Sequence, residues 1–422
     1  MTQEAFATAM AGFGPVPGRV AVAVSGGPHS LALALLTRQW AQENGVALVA
    51  LVAEHGLRRE SAEEATGVAT MLAGQGITTR VIPLGLAGGA SLQARARAAR
   101  LKALLAACRE LRAPWLLLGH HRMDQAETLL LRASHGQGRG QGQSGLAGMA
   151  ASRPMAEALL LRPLLGSTPA ALEAICAAAA LAPVRDPSNR NPAFARNRAR
   201  LGLNDPGGEG PAVAALSTAA TAFATRRARM EAALLQRLGA AVMLLPCGAA
   251  RIDAAALGRD AVAVALLGRL LRALGGAEHA PAEADIARLL AAGQGTLGGV
   301  WWREDGWLLR EPALLSPPIA AEAGALWDGR FHLAEAWPGC MLGALGPGHP
   351  QAPPQHPPWP AALRAGLPAL WRDGNLLAAP HLGWGSPVPS LSFRPQGGPI
   401  GTVFAGFAHL GHSPSANTTY LI

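Results

Sequence analysis

Eleven residues near the start constrain this chain more than any other stretch. An apolar, β-branched run from Val20 to Val24 breaks into Ser25-Gly26-Gly27-Pro28-His29-Ser30, and a second apolar run, Leu31 to Leu36, follows at once. The first run predicts a buried strand and the second a helix opening. Gly26 and Gly27 are free to adopt positive φ, and Pro28 suits the first helical turn. A turn of this kind aims unpaired backbone N–H groups and the positive end of a helix dipole at one point, which is how a protein cradles phosphate. Ser25 and Ser30 add hydroxyls. A Walker loop is excluded because no Gly-Lys-Ser/Thr follows, and the one lysine of the chain is Lys102. Taken alone, the turn is equally a plain strand-to-helix connection.

The segments that follow decide between those readings. Apolar strands are predicted at 46–52, 77–84, 115–118 and 159–161, separated by helices at 59–73, 92–111, 124–132 and 169–180. Strand–helix alternation at this spacing predicts a Rossmann-like α/β fold, an open parallel sheet covered on both faces. Ligands in such sheets bind beyond the carboxyl ends of the strands. Polar motifs fall at those ends: Glu54-His55-Gly56-Leu57-Arg58 after the second strand, and His120-His121-Arg122-Met123-Asp124-Gln125-Ala126-Glu127-Thr128 after the fourth. Arg97 and Arg100 sit one turn apart on the long helix. Arg162-Pro163-Leu164-Leu165, Asp186-Pro187-Ser188-Asn189, Arg196 and Arg200 come later.

In that order and spacing these motifs resemble the tRNA(Ile)-lysidine synthases of the PP-loop, or N-type ATP pyrophosphatase, superfamily. The resemblance runs from about residue 20 to 200. It implies a PP-loop ATP pyrophosphatase domain over 1–204 that uses ATP and Mg2+. ATP would adenylate the C2 oxygen of the wobble cytidine of a tRNA(Ile) with a CAU anticodon, and free L-lysine would then displace AMP. By the same carry-over, Ser25, Gly26, Gly27, Pro28, His29 and Ser30 would hold the ATP phosphates, with Asp124 and His29 catalytic. Asp124 and Glu127 would hold Mg2+. His55, Arg58, Arg97, Arg100, Asp186, Asn189, Arg196 and Arg200 would meet substrate or tRNA. The chain departs from the family pattern at four places: His29 stands where the phosphate loop has Asp, Met123 where an Asp-Asp pair begins, Glu54 for Asp and Gln93 for Glu. His29 would then touch phosphate directly, as an imidazolium. The alternatives are a tRNA-binding relative with impaired chemistry, or another PP-loop tRNA-modifying enzyme.

Charge and cysteine usage bear on partners. The 36 basic residues outnumber the 27 acidic ones, for a net charge of +9, and arginine supplies nearly all of the excess. A polyanionic partner is the natural inference, since arginine pairs bidentately with phosphate. Four isolated cysteines form no CxxC pair, which argues against a disulfide framework, a zinc site or sulfur transfer. Charges interrupt every apolar stretch before it could span a bilayer, and Met1-Thr2-Gln3-Glu4 has no signal-peptide character, so the expectation is cytoplasmic.

Beyond 204 the sheet pattern stops. Helical periodicity at 211–238, 260–274 and 281–292 predicts a mostly α-helical, tRNA-contacting domain over 205–295. Trp301, Trp302 and Trp307 fall in a predicted hairpin, as core or as base-stacking groups. The remainder, 296–422, reads as a β-containing unit with a proline-rich linker at 346–360. Gly136–Gly145 reads as a flexible segment. A homodimer is left open.

Overall fold

The computed structural model describes residues 1–54, 61–85, 92–134, 146–155, 157–185, 193, 195–347 and 359–401. The motif residues His55, Arg58, Asp186 and Asn189, the 136–145 segment and most of the 346–360 linker lie outside them. Among the described residues the chain forms two compact units, Met1–Ala228 and 229–401.

The first unit is built on a six-stranded sheet of β1 (Arg19–Val24), β2 (Ala47–Glu54), β3 (Thr79–Pro83), β4 (Trp115–Leu117), β5 (Ser152–Pro154) and β6 (Leu159–Leu161). The order is β3-β2-β1-β4-β6-β5. Every neighbouring pair is parallel except β5–β6, an antiparallel edge that the expectation of a wholly parallel sheet missed. At three residues, with a proline at its end, β5 has no periodicity to read, and Pro154 is tolerated because the strand is at the edge.

Helices α1 (Gln3–Ala11), α2 (Pro28–Glu43), α3 (Ser61–Gly74), α4 (Leu92–Glu110), α5 (Arg122–Ser134), α6 (Pro169–Ala178) and α7 (Ala195–Leu203) surround this sheet, and α8 (Pro211–Ala241) runs across the boundary between the units. Alternation along β1 sets the two faces. Val20, Val22 and Val24 enter one core with Phe6, Met10, Leu31, Leu33 and Leu172. Ala21 and Ala23 enter the other, with Leu104, Leu105 and Cys108 of α4. Large residues on one face and small ones on the other let α4 approach closely, while each fully buried valine or leucine contributes roughly 1.5–3 kcal/mol. The strand order reverses between β1 and β4, so a crevice opens beyond their carboxyl ends.

The second unit begins within α8. A five-stranded antiparallel sheet, ordered β7-β8-β11-β10-β9, comprises β7 (Val242–Leu245), β8 (Ala249–Ile252), β9 (Gly295–Leu297), β10 (Val300–Trp302) and β11 (Trp307–Arg310). It packs with α10 (Ala261–Leu274) and α11 (Glu283–Ala292), which follow the short α9 (Ala254–Leu257). Two small antiparallel sheets complete the unit. The expected division at 295 therefore cuts through a sheet, since β8 pairs with β11 across it. The division expected at 204 precedes the compact-unit boundary by a turn and most of α8. Trp302 is buried in the core, and Trp301 carries the Arg303 guanidinium 5.1 Å over its ring.

Candidate active site

The turn after β1 is tied by one side chain. The Ser30 hydroxyl donates to the Gly27 carbonyl at 2.8 Å and accepts the Ser25 N–H at 3.1 Å. Ser30 therefore shapes the loop, its donor used internally, whereas Ser25 is exposed and its Oγ lies 3.3 Å from that of Ser30. Gly26 has φ +80°, and a Cβ there would come within 2.7 Å of Val68, so only glycine fits. Gly27 caps α2 and Pro28 occupies its first turn. Among the described residues the N–H groups of Gly26 and Gly27 have no backbone partner. The loop thus presents two N–H groups, a hydroxyl and a helix N-terminus, the donor set that suits the phosphates of ATP.

The end of β4 lies against this loop. A Cβ on Gly119 would stand 3.1 Å from the His29 carbonyl oxygen, so glycine is needed for the close approach. His121 follows, and its ring meets that of His29 edge-on with centroids 4.0 Å apart. His121 also precedes α5, and its N–H donates to the Asp124 Oδ2 at 3.0 Å. A carboxylate three residues into a helix that accepts from the preceding backbone is half of a capping box, and it fixes Asp124 at the crevice. Thr128 donates to the Asp124 carbonyl, and Gln125 clasps the Met149 backbone through both amide atoms.

Helix α7 brings two arginines to α5. Arg200 Nε donates to Glu127 Oε1 at 2.6 Å, and Arg196 Nε lies 3.1 Å from Oε2. Glu127 is fully buried between them. Burial and the Asp124 charge push its carboxyl above the usual range, against the pull of both arginines. Asp124 behaves oppositely. Burial alone would raise it, but His121, His120, Arg196 and the His121 N–H bring it down to about 2, so it is ionised. Its Oδ1 is 3.9 Å from Arg200.

The three histidines are neutral. Burial first, then His121, Arg200 and Arg185, bring His29 down to about 3. The nearby Asp124 carboxylate pulls the other way without overcoming burial, and the imidazolium expected at His29 belongs to a phosphate-bound state. His120 is likewise held at about 3, and His121 is lowered, chiefly by burial. His29 Nε2, His120 Nδ1 and His121 Nδ1 are buried without a hydrogen-bond partner among the described residues. Buried polar atoms left in this way mark a place where a ligand or water completes the bonding.

Magnesium fits this donor set poorly. Glu127 Oε1 accepts from Arg200, while Oε2 is 3.1 Å from Arg196 without a hydrogen bond, so two cations already stand where this carboxylate would meet a metal. Met123, where a first Asp was expected, packs with Ala126, Val213, Leu203 and Leu216, away from polar groups. Among the described residues of the crevice Asp124 Oδ1 and Glu127 Oε2 make no hydrogen bond, and no group of three or more His, Cys, Asp or Glu is arranged to hold a metal. Of the remaining expected residues, Arg97 is exposed and Arg100 half-buried on α4. Gly119, His121, Gln125 and Thr128 complete the crevice; the last three stand in the polar motif after the fourth strand, where sequence alone gives them no individual role. The N-cap spacing from His121 to Asp124 was the available signal.

Comparison with known proteins agrees with this geometry. The PP-loop domain family matches residues 3–205. A tRNA(Ile)-lysidine synthase of Novosphingobium aromaticivorans is 40% identical over 293 residues, 67% of this chain and 85% of that protein. The enzyme of the same name from Ruegeria pomeroyi is 33% identical over 387 residues, 87% of this chain and 89% of that protein. Among solved structures, a U34-tRNA thiolase from Methanococcus maripaludis superposes with a TM-score of 0.43 at 15% identity, over 52% of this chain and 76% of that one. With a phosphate cradle after β1, a capped Asp124 after β4 and relatives matched over most of their length, the chain belongs to the tRNA(Ile)-lysidine synthase family.

Proposed function

We propose that this chain ligates free lysine to C2 of the wobble cytidine of an isoleucine tRNA with a CAU anticodon, at the expense of ATP. In the first step the cytidine O2 attacks the α-phosphorus of ATP and pyrophosphate leaves. In the second the lysine amine attacks C2, the C2–O bond breaks and AMP leaves. C2 is a poor electrophile until its oxygen becomes a leaving group, so the order is chemically required. The Gly26 and Gly27 N–H groups and the Ser25 hydroxyl bind the phosphates, and Arg200 and Arg196 bring positive charge to the same crevice. Ionised Asp124 attracts the lysine ammonium and orients it. His29 keeps an unpartnered Nε2 with which to hydrogen-bond the bound substrate, and the proton the amine sheds as the C–N bond forms passes to solvent.

The observation that supports this reading best is the pairing of a phosphate cradle with an ionised, incompletely bonded carboxylate across one crevice. A binding-only relative would have no need for the second element. The test separates the half-reactions: pyrophosphate release is measured with tRNA alone, and AMP release with tRNA plus lysine. Pyrophosphate release that requires tRNA, and AMP release that requires lysine as well, is the expected result. Tight tRNA binding with neither release would replace the ligase reading with the binding-only one.

A further inference from the structure

The loop after β1 is held from outside by a segment that meets it only in the fold. Just past α6, Ala180 takes φ +53°, and the Leu181 N–H donates back to the Cys176 carbonyl at 3.0 Å. The turn brings the next few residues to the start of α2, where the Val184 N–H donates to the Gly26 carbonyl at 2.9 Å. The Val184 side chain packs against the apolar core that contains Val68, and a Cβ on Gly26 would stand 2.7 Å from Val68 and 3.1 Å from Val184. Arg185 Nη2 donates to Glu173 Oε2 at 3.3 Å, which fastens the segment to the helix it has just left.

The Val184 bond sets the direction of a donor in the loop. In a planar trans peptide the carbonyl and the following N–H point to opposite sides. The Gly26 carbonyl faces Val184, so the Gly27 N–H, in the same trans peptide, faces away from the segment. That N–H has no backbone partner among the described residues, and a Cβ on Gly27 would meet only Ser25 Oγ, at 3.7 Å. The space beside Gly27 is open, with the Ser25 hydroxyl at its edge. A peptide between two glycines turns over at little steric cost, so its orientation has to come from a bond outside the loop.

A second contact acts two residues on. The Cys176 thiol donates to the Pro28 carbonyl at 3.1 Å and joins the first turn of α2 to α6. Burial pushes this thiol up to about 11, against the Ala32 N–H and with the Glu173 carboxylate, so near neutrality it keeps the proton it donates.

We propose that Val184 and Cys176 are positioning residues for ATP: by holding the Gly26 and Pro28 carbonyls from the far side, they aim the Gly27 N–H at a phosphate. The inference rests on ATP binding at this loop.

The test is equilibrium binding of ATP and of inorganic pyrophosphate to the full chain, for the parent, Val184→Pro, Val184→Ala, Cys176→Ala and Cys176→Ser. Affinity for isoleucine tRNA and urea unfolding are measured alongside. Val184→Pro removes the N–H and is expected to weaken ATP and pyrophosphate alike, by about tenfold. Val184→Ala trims the side chain but keeps the N–H, and should bind both as the parent does. Cys176→Ala should weaken both about threefold, and Cys176→Ser, which restores a donor, should return the parental values. Affinity for tRNA should not move in any variant. Parental affinity for ATP in Val184→Pro and Cys176→Ala would overturn the proposal. So would a loss shared by Val184→Ala or extending to tRNA, since packing rather than the donated bond would then be responsible. If Val184→Pro does not fold, the two Cys176 variants decide. If the parent binds ATP but incorporates no lysine, the ligase reading fails and these affinities still decide the positioning role. A parent that binds no ATP overturns both.

Discussion

Each unit contains a buried cluster of arginines around an aspartate, and the two clusters are bonded very differently. In the second unit Asp328 accepts from Arg310 Nε and Nη2 at 3.0 Å each and from Arg330 Nε at 2.8 Å. The Ser316 N–H and hydroxyl also donate to it, at 3.0 Å each. No acceptor capacity remains, and the carboxylate is fully buried. In the first unit Asp124 accepts one backbone N–H, its other oxygen stands 3.9 Å from Arg200, and three neighbouring histidine nitrogens have no hydrogen-bond partner among the described residues. A carboxylate saturated like Asp328 holds a fold together, even though Arg330 Nη2 beside it makes no hydrogen bond among the described residues. One left incomplete, next to a phosphate cradle, is arranged for something that arrives later.

Breaking each cluster should therefore have different consequences. The largest effect on stability is expected at Asp328→Ala, which strands two guanidiniums. Urea unfolding should lose about 3–5 kcal/mol, and hydrogen exchange should place the loss in the second unit. Asp124→Asn should instead lower turnover about 10²- to 10³-fold while costing only about 1 kcal/mol of stability through its weakened cap. A first unit that unfolds with Asp124→Asn, or a second unit indifferent to Asp328→Ala, would erase the distinction. Met123→Asp comes next. The carboxyl would enter the apolar contact with Val213, Leu203 and Leu216, so unfolding should lose about 1–3 kcal/mol without any gain in metal affinity.

The smallest effect near neutrality concerns pH. His29 and His120 titrate at about 3 in the fold, against 6.5 when unfolded, and His121 is lowered as well. Between pH 6.5 and 3 the unfolded chain binds more protons, so the stability these residues allow is fully present above 6.5 and is lost as pH falls through that window. His381 is the one lowered histidine among the described residues of the second unit. Asp328 is depressed by its arginines, so its contribution is lost only below the ordinary carboxylate pKa of 3.8. Mild acid should therefore raise hydrogen exchange first in the first unit. Equal protection loss in both units at pH 5 would count against the contrast.

What could be read from sequence follows the strength of local patterns. Strands β1, β2, β4 and β6 are apolar runs, so the sheet and the crevice at its switch point were legible. The β7–β8 hairpin was not. Its strands are four residues each, and Ala249-Ala250-Arg251-Ile252 has neither alternation nor β-branched enrichment until its last residue. Asp124, Arg196 and Arg200 could be named as candidates because each lies in a polar block, and the two blocks, about 70 residues apart, meet through Glu127. The state of those blocks was not legible. That Glu127 lies between two arginines, and that burial lowers His29, depends on how α7 docks and how much water the crevice excludes. Neither is a property of spacing along the chain.

The account stands most directly on incorporation of labelled lysine into an isoleucine tRNA with a CAU anticodon, given ATP, by the parent chain and by Asp124→Asn. It predicts incorporation by the parent, and a fall of about 10²-fold or more in the variant, with tRNA affinity and folding retained. Incorporation undiminished in Asp124→Asn, or absent from a parent that folds and binds tRNA, would contradict it.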